Sequence, residues 1–132
     1  MTEQISVEEY AAKARVFLDA NAEKKEARKK FVWGEGSDNV SMFEERSKDA
    51  EEEMLRRAKA WQALRFDNGF AWITGPTEYG GAGLTVAHER AYNQVEREYK
   101  TAPLGVFQIG LGMVAPTILD LASQKARDLY LR

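Results

Sequence analysis

His88 is the sole histidine of the chain, and a histidine is the first place to look for a metal ligand or a proton shuttle. A metal site needs three or four converging ligands. The neighbours on its helical face are Leu84, Ala91 and Tyr92, with Glu89 alongside, so His88 reads as a structural or surface residue. Carboxylates are numerous, 21 Asp and Glu against 19 Lys and Arg. Nearly all have basic neighbours three or four positions away, the pattern of a solvated helix face. General acid–base chemistry wants a carboxyl group isolated among apolar side chains. Asp120, just after a long uncharged run, is the candidate for that role, against a helix-terminal or surface reading.

Gly110-Leu-Gly112-Met-Val-Ala115 has the spacing of a loose dinucleotide fingerprint. Such a site needs a strand before it and a βαβ unit after it, so that a phosphate meets a helix N-terminus. No strand precedes this run and seventeen residues follow Ala115, so the match is rejected. The small residues instead let helices, or a flat ligand chain, approach closely. There is no Gly-Lys-Ser/Thr phosphate loop and no Gly-x-Ser-x-Gly nucleophile elbow. Trp33, Trp61 and Trp72 are not interleaved with a basic stripe, so they read as core or interface anchors rather than base-stacking platforms. The residues alone yield no self-contained catalytic set and no metal site.

The elements that carry these residues are helical. Ser6 and Glu9 form a capping box, after which Val7, Tyr10, Ala11, Ala14, Phe17 and Leu18 share one face until about Asn21. Glu23 to Lys30 carries seven charges in eight positions. Phe31-Val32-Trp33 and the following Gly34 and Gly36 read as a loop. A second box, Ser41 to Glu44, opens a helix with Phe43, Ala50, Met54, Ala58, Trp61 and Leu64 on its apolar face, stopped by Asn68-Gly69. Phe70 to Ile73 is expected to be buried and extended. Thr85 caps a third helix with Val86 or Ala87, Ala91, Val95 and Tyr99 inward. Pro103 ends that stretch, Pro116 suits the first turn of a short helix, and Ser123 caps a last one. The expected class is all-α, a helical bundle-like domain of about five or six helices, without hairpins or repeats.

Composition bounds the rest. With 132 residues, 44% apolar and 30% charged, the chain suits one globular domain. A net charge of −2 argues against a nucleic-acid partner. The lack of Cys excludes disulfides and allows a reducing compartment. The N-terminus does not read as a signal peptide, and a cytoplasmic location is expected. Charge is uneven: Glu44 to Lys59 holds eleven charged side chains in sixteen positions, while Thr101 to Leu119 holds none in nineteen. Only eleven of those nineteen are apolar, too few for a membrane span, so that run is expected to be buried within protein.

Pro76-Thr-Glu-Tyr79-Gly80-Gly81-Ala-Gly83-Leu84, read with its surroundings, resembles the N-terminal domain of the acyl-CoA dehydrogenase family. The opening helix Tyr10 to Ala20, the segment Trp61 to Trp72, the run Pro103 to Leu119 with its Pro116, and the tail Gln124 to Leu131 resemble successive parts of that domain in the same order. Residues 22–40 follow no part of the pattern. The resemblance implies that 1–132 is the helical N-terminal domain, with the FAD-binding β-barrel and the C-terminal helical bundle absent from this chain. It implies that FAD contacts and the catalytic carboxylate lie in those parts, so that this chain alone is inactive and holds no catalytic residue.

By the same resemblance the helix with Phe107, Gln108, Leu111 and Gly112 is the wall facing an acyl chain, although these residues equally suit packing within the domain. Pro76, Tyr79, Gly80, Gly81 and Gly83 form a structural turn. The implied activity is FAD-dependent α,β-desaturation of an acyl-CoA thioester, with an electron-transfer acceptor and a homo- or hetero-oligomer as partners. The alternative reading is a non-catalytic helical interaction module, or a subunit completed by a partner chain.

Overall fold

The computed structural model describes residues 5–27, 33–34 and 46–131. Helix α1 spans Val7–Asn21 and a two-residue strand, β1, Glu23–Lys24. Helix α2 spans Lys48–Asp67, α3 Val86–Glu96, and strand β2 Tyr99–Lys100. Helices α4, Ala115–Leu121, and α5, Gln124–Tyr130, close the order. The fold is all-α. Its small antiparallel sheet pairs Glu23 with Lys100 and Lys24 with Tyr99, fastening the end of α1 to the chain beyond α3.

The caps are where local chemistry puts them. Ser6 and Glu9 make the reciprocal capping box on α1, and Ser123 Oγ accepts from the Ala126 amide to open α5. Helix α2 is capped by Ser47, whose Oγ accepts from the Ala50 amide. The expected Ser41–Glu44 box and Phe43 lie outside the described residues. Pro116 sits in the first turn of α4, directly after the π-helical turn at Gly110–Val114.

Helix α1 packs chiefly on α3. Between them and α2 lies an aromatic core: Phe70 stands 4.9 Å from Phe17, 5.1 Å from Tyr92 and 5.3 Å from Tyr10 by ring centroid, and Phe17 is stacked on Trp61 at 5.8 Å. Offset and tilted contacts at these separations add to what burial alone contributes.

Several sequence expectations are corrected here. The inward stripe of α3 is His88, Tyr92 and Val95. Val86 and Ala87 are exposed, and Tyr99 is buried in β2 rather than on the helix. The polar ring of His88 enters the core because both its nitrogens find partners. Nε2 lies 2.9 Å from the Ile5 carbonyl, and Nδ1 lies 2.8 Å from Thr85 Oγ1 and 3.4 Å from the Thr85 amide. A carbonyl only accepts and an amide only donates, so the ring is held as the Nε2–H tautomer. On α2 the buried positions are Ala58, Trp61 and Arg65, while Ala50 is exposed.

Phe70 to Ile73 turns instead of extending, because Gly75 and Ala82 amides both bond the Trp72 carbonyl and the Leu84 amide bonds that of Ile73. Trp33 is 91% exposed, so it is not a core residue. Asp120 is exposed, not isolated in an apolar pocket.

The uncharged run also departs from expectation. It forms a 3-10 turn at Gly105–Phe107, a π-helical turn at Gly110–Val114 and then α4, and it is not buried. Ile109, Leu111 and Met113 are 70%, 53% and 66% exposed. Hydropathy reports what a segment would bury, not which neighbour covers it. No helix among the described residues is long and apolar enough to cross a membrane.

Candidate functional site

The Pro76–Gly83 turn is built by backbone. A 3-10 turn at Thr77–Tyr79 ends on Gly80 at φ +88°, a left-handed conformation that costs glycine little. The Gly81 amide then bonds the Pro76 carbonyl at 2.9 Å, and the Gly83 amide that of Gly75 at 2.9 Å. Gly81 is needed for a different reason: a Cβ there would lie 2.1 Å from the Gly75 carbonyl oxygen. Tyr79 is buried, and its hydroxyl accepts from Gln124 Nε2 at 2.9 Å, tying the turn to α5.

This turn carries the chain back from the C-terminal end of α2 and fixes Ala71 beside it. There, an open groove of about 430 Å³ runs between α2 and the uncharged segment. Gln62 and Arg65 line it from the helix, Ala71 from the turn, and Leu104, Gly105, Phe107, Gln108 and Leu111 from the opposite side. Three of the four residues expected to face an acyl chain, Phe107, Gln108 and Leu111, are thus brought together. Gly112, one step further along the π-helical turn, is exposed and does not line the groove. The volume suits a small organic group.

Arg65 is the residue that sequence reasoning missed. It lies seven positions after Ala58 and four after Trp61, on the buried stripe, and that register was the available signal. Only 9% of it is exposed. Nη2 donates to the Phe70 carbonyl at 3.0 Å, the guanidinium lies 5.1 Å from the Tyr92 ring centroid, and Nε is 3.9 Å from Glu96 Oε1. Glu96 Oε1 also accepts from Trp61 Nε1 at 3.3 Å and from the Tyr92 hydroxyl at 3.2 Å. Burial pushes the Tyr92 hydroxyl well above its ordinary pKa, and the Glu96 carboxylate adds to that while Arg65 opposes it.

At 3.9 Å the Arg65–Glu96 contact is an ion pair too long to be a hydrogen bond. Arg65 Nε is therefore a buried donor without a hydrogen-bond partner, and Gln62 Oε1, one helical turn away on the same groove, is a buried acceptor without one.

No Asp, Glu, His or Lys lines the groove among the described residues. Glu96 is engaged by Trp61 and Tyr92, and His88 is committed to Thr85 and Ile5. Among the described residues no three His, Asp or Glu side chains converge as metal ligands. Gly110 and Gly112 lie within continuous helical backbone entered from a 3-10 turn rather than from a strand, unlike the strand-to-helix turn that cradles a dinucleotide diphosphate.

Comparison with known proteins agrees with this architecture. Residues 19–132 match the family model described as acyl-CoA dehydrogenase, N-terminal domain. Over 127 residues the chain is 28% identical to the acyl-CoA dehydrogenase IpdE1 of Mycolicibacterium smegmatis. That match covers 96% of this chain and 29% of the relative, so the chain spans under a third of the curated protein it resembles. No solved structure matches it.

Proposed function

Because the chain belongs to the acyl-CoA dehydrogenase family, as its N-terminal domain, we propose that the groove between α2 and the uncharged segment walls the acyl group of a thioester substrate. The observation that carries this is the convergence of Phe107, Gln108 and Leu111 on one groove with Leu104 and Ala71. An acyl chain gains from apolar walls, and those residues present no ionised group to it. On this reading FAD, the catalytic base, the barrel and the helical bundle belong to parts of the enzyme other than this domain, which the match to the N-terminal domain of the family supports. The complete protein would desaturate the acyl group between its α and β carbons, with electrons passing to a separate acceptor. The role of this chain's residues is to bind, orient and exclude water.

The test is a titration of octanoyl-CoA onto the 15N-labelled chain, with coenzyme A alone as control. Resonances of Leu104, Phe107, Gln108 and Leu111 should move with the thioester and stay with the control. Movement confined to other surfaces, or identical responses to both, would remove the acyl-wall reading.

A second reading has its own observation. Ile109, Met113 and Val114 are 70%, 66% and 48% exposed on the same segment, and exposed apolar side chains that cluster mark interaction surfaces. That face suits another domain of the dehydrogenase or a partner subunit. The two readings use different sides of one segment and are compatible.

A further inference from the structure

Gly105 is a glycine that the backbone does not require. It has no positive φ, and a Cβ on it would meet no atom within 4 Å, unlike Gly81, where one would strike the Gly75 carbonyl. It opens the 3-10 turn Gly105–Phe107, a place where glycine costs conformational entropy and packs nothing in return. Gly105 also stands in the groove wall with Leu104 and Phe107 beside it in the chain, and Ala71 lines the same groove with no more than a methyl group. Building on the acyl-wall reading, we propose that residue 105 sets the width of acyl group the groove admits, and that glycine there makes room for a branched acyl chain.

Width, not apolar area, is what small wall residues change. Leu104, Phe107 and Leu111 supply the apolar contacts, and these serve a straight chain and a branched one alike, because burial rewards area removed from water. A straight polymethylene chain is one methylene wide and gains nothing from a wall cut back to the Cα. A branch needs lateral room, and a groove of about 430 Å³ edged by glycine and alanine gives it. Since no atom stands where a side chain at 105 would begin, that room can be filled without disturbing the fold. Methylenes forced against a ligand there cost what overpacking costs in a core. Gly110 supplies the contrast: its Cβ position is equally unobstructed, and it does not line the groove.

The test compares two thioesters with the same eight acyl carbons, octanoyl-CoA and its branched isomer dipropylacetyl-CoA, titrated onto the 15N-labelled chain. In the parent the two should bind within about twofold of each other, since they bury similar apolar area. Gly105→Leu should weaken the branched isomer about tenfold or more and octanoyl-CoA by about threefold or less, as overpacking acts on the wider ligand. Gly105→Ala should move the branched isomer the same way by about two- to threefold. Gly110→Leu should leave both Kd values within about twofold of the parent. Circular dichroism should be unchanged in all three variants.

Equal losses for the two isomers in Gly105→Leu, or no loss for either, would overturn this inference while shifts at Leu104 and Phe107 left the acyl wall standing. A parent that binds the branched isomer about tenfold more weakly than octanoyl-CoA would also overturn it, because the groove would then be a slot for straight chains. A matching selective loss in Gly110→Leu would deny residue 105 its special place. Failure of both thioesters to perturb the groove of the parent would overturn both readings.

Discussion

Gly81→Ala is the most incisive single perturbation of the framework that holds the groove. The added Cβ would lie 2.1 Å from the Gly75 carbonyl oxygen and 2.2 Å from its carbon, against ordinary contacts of about 3.5–4 Å. Both groups are backbone, so no side chain can swing aside and the two strands of the turn must separate by about 1 Å or more. The hydrogen bonds from the Gly81 amide to Pro76 and from the Gly83 amide to Gly75, each 2.9 Å, are the first to break. At about 0.5–1.5 kcal/mol apiece, their loss costs about 1–3 kcal/mol. Residual backbone strain adds about 1–3 kcal/mol, and the stiffer unfolded chain returns about 0.4–1 kcal/mol. The net is a loss of about 1–5 kcal/mol, centred near 3, a large share of the roughly 5–15 kcal/mol a domain has. Urea unfolding followed by tryptophan fluorescence should show a midpoint lowered by about 1–2 M. Gly112→Ala is the matched control: nothing lies within 4 Å of its Cβ and the site is helical, so the same exchange should stabilise by about 0.5–1 kcal/mol. A Gly81→Ala midpoint within about 0.3 M of the parent, or equal losses for both variants, would refute the close-approach argument.

The remaining predictions concern charge, pH and association. Glu96→Gln leaves Arg65 buried without its counter-ion and should destabilise by about 2–4 kcal/mol in the same assay, while Glu52→Gln, on an exposed pair with Lys48, should change little. Burial raises the Tyr10 hydroxyl to about 12 despite the opposing Arg65 charge. A group raised on folding contributes stability below its unfolded pKa and loses it as pH rises, so alkaline unfolding should steepen between about pH 10 and 12 and soften in Tyr10→Phe. The Tyr99 hydroxyl, with Lys24, lowers the Asp19 carboxyl, and Arg15 lowers Glu98. Their contribution is present above the unfolded carboxylate values and lost as pH falls through the depressed ones, so an acid titration should show Asp19→Asn with a flatter limb below about pH 4. The isolated chain should self-associate in sedimentation velocity, and Ile109→Lys with Met113→Lys should restore a monomer; a monomeric parent at high concentration would count against the exposed face as a docking surface.

Local signals in the sequence are those that depend on a few adjacent residues. The Ser6–Glu9 box, the Ser123 cap, Pro116 in a first turn and the Asn68-Gly69 stop are each satisfied by backbone within one turn, and all are legible from spacing. The inward face of α3 is not. Its choice of His88 over Val86 rests on the Ile5 carbonyl, 83 residues distant in sequence, which supplies the partner that makes a buried imidazole tolerable. The bend at Phe70–Ile73 likewise depends on amides from Ala82 and Leu84, not on its own apolar residues. The groove was half legible. Phe107, Gln108 and Leu111 are apolar or neutral residues in a conspicuous uncharged run, whereas Gln62 and Arg65 sit in a helix so rich in charge that their burial is invisible without register.

That burial gives the Arg65–Glu96 pair a consequence at the groove. A buried ion pair seldom adds stability over an apolar replacement, and here Trp61, Tyr92 and Phe70 all spend hydrogen-bonding or ring contacts on it. If the pair only filled the core, Arg65 would be expected to use its Nε–H on Glu96 as well. Instead the 3.9 Å separation leaves that donor unbonded, and Nη2 is fixed by the Phe70 carbonyl at 3.0 Å. Phe70 is in turn fixed by the Arg65 carbonyl accepting from its amide at 2.8 Å. The guanidinium is therefore clamped at one end by the chain reversal that follows α2, and the Gly75–Gly83 turn stabilises that reversal. A change that loosens the turn should release the Arg65 clamp before it unfolds α2. In Gly81→Ala, a shift of the Arg65 Nε–H resonance should accordingly appear at urea concentrations where the helical signal is still intact.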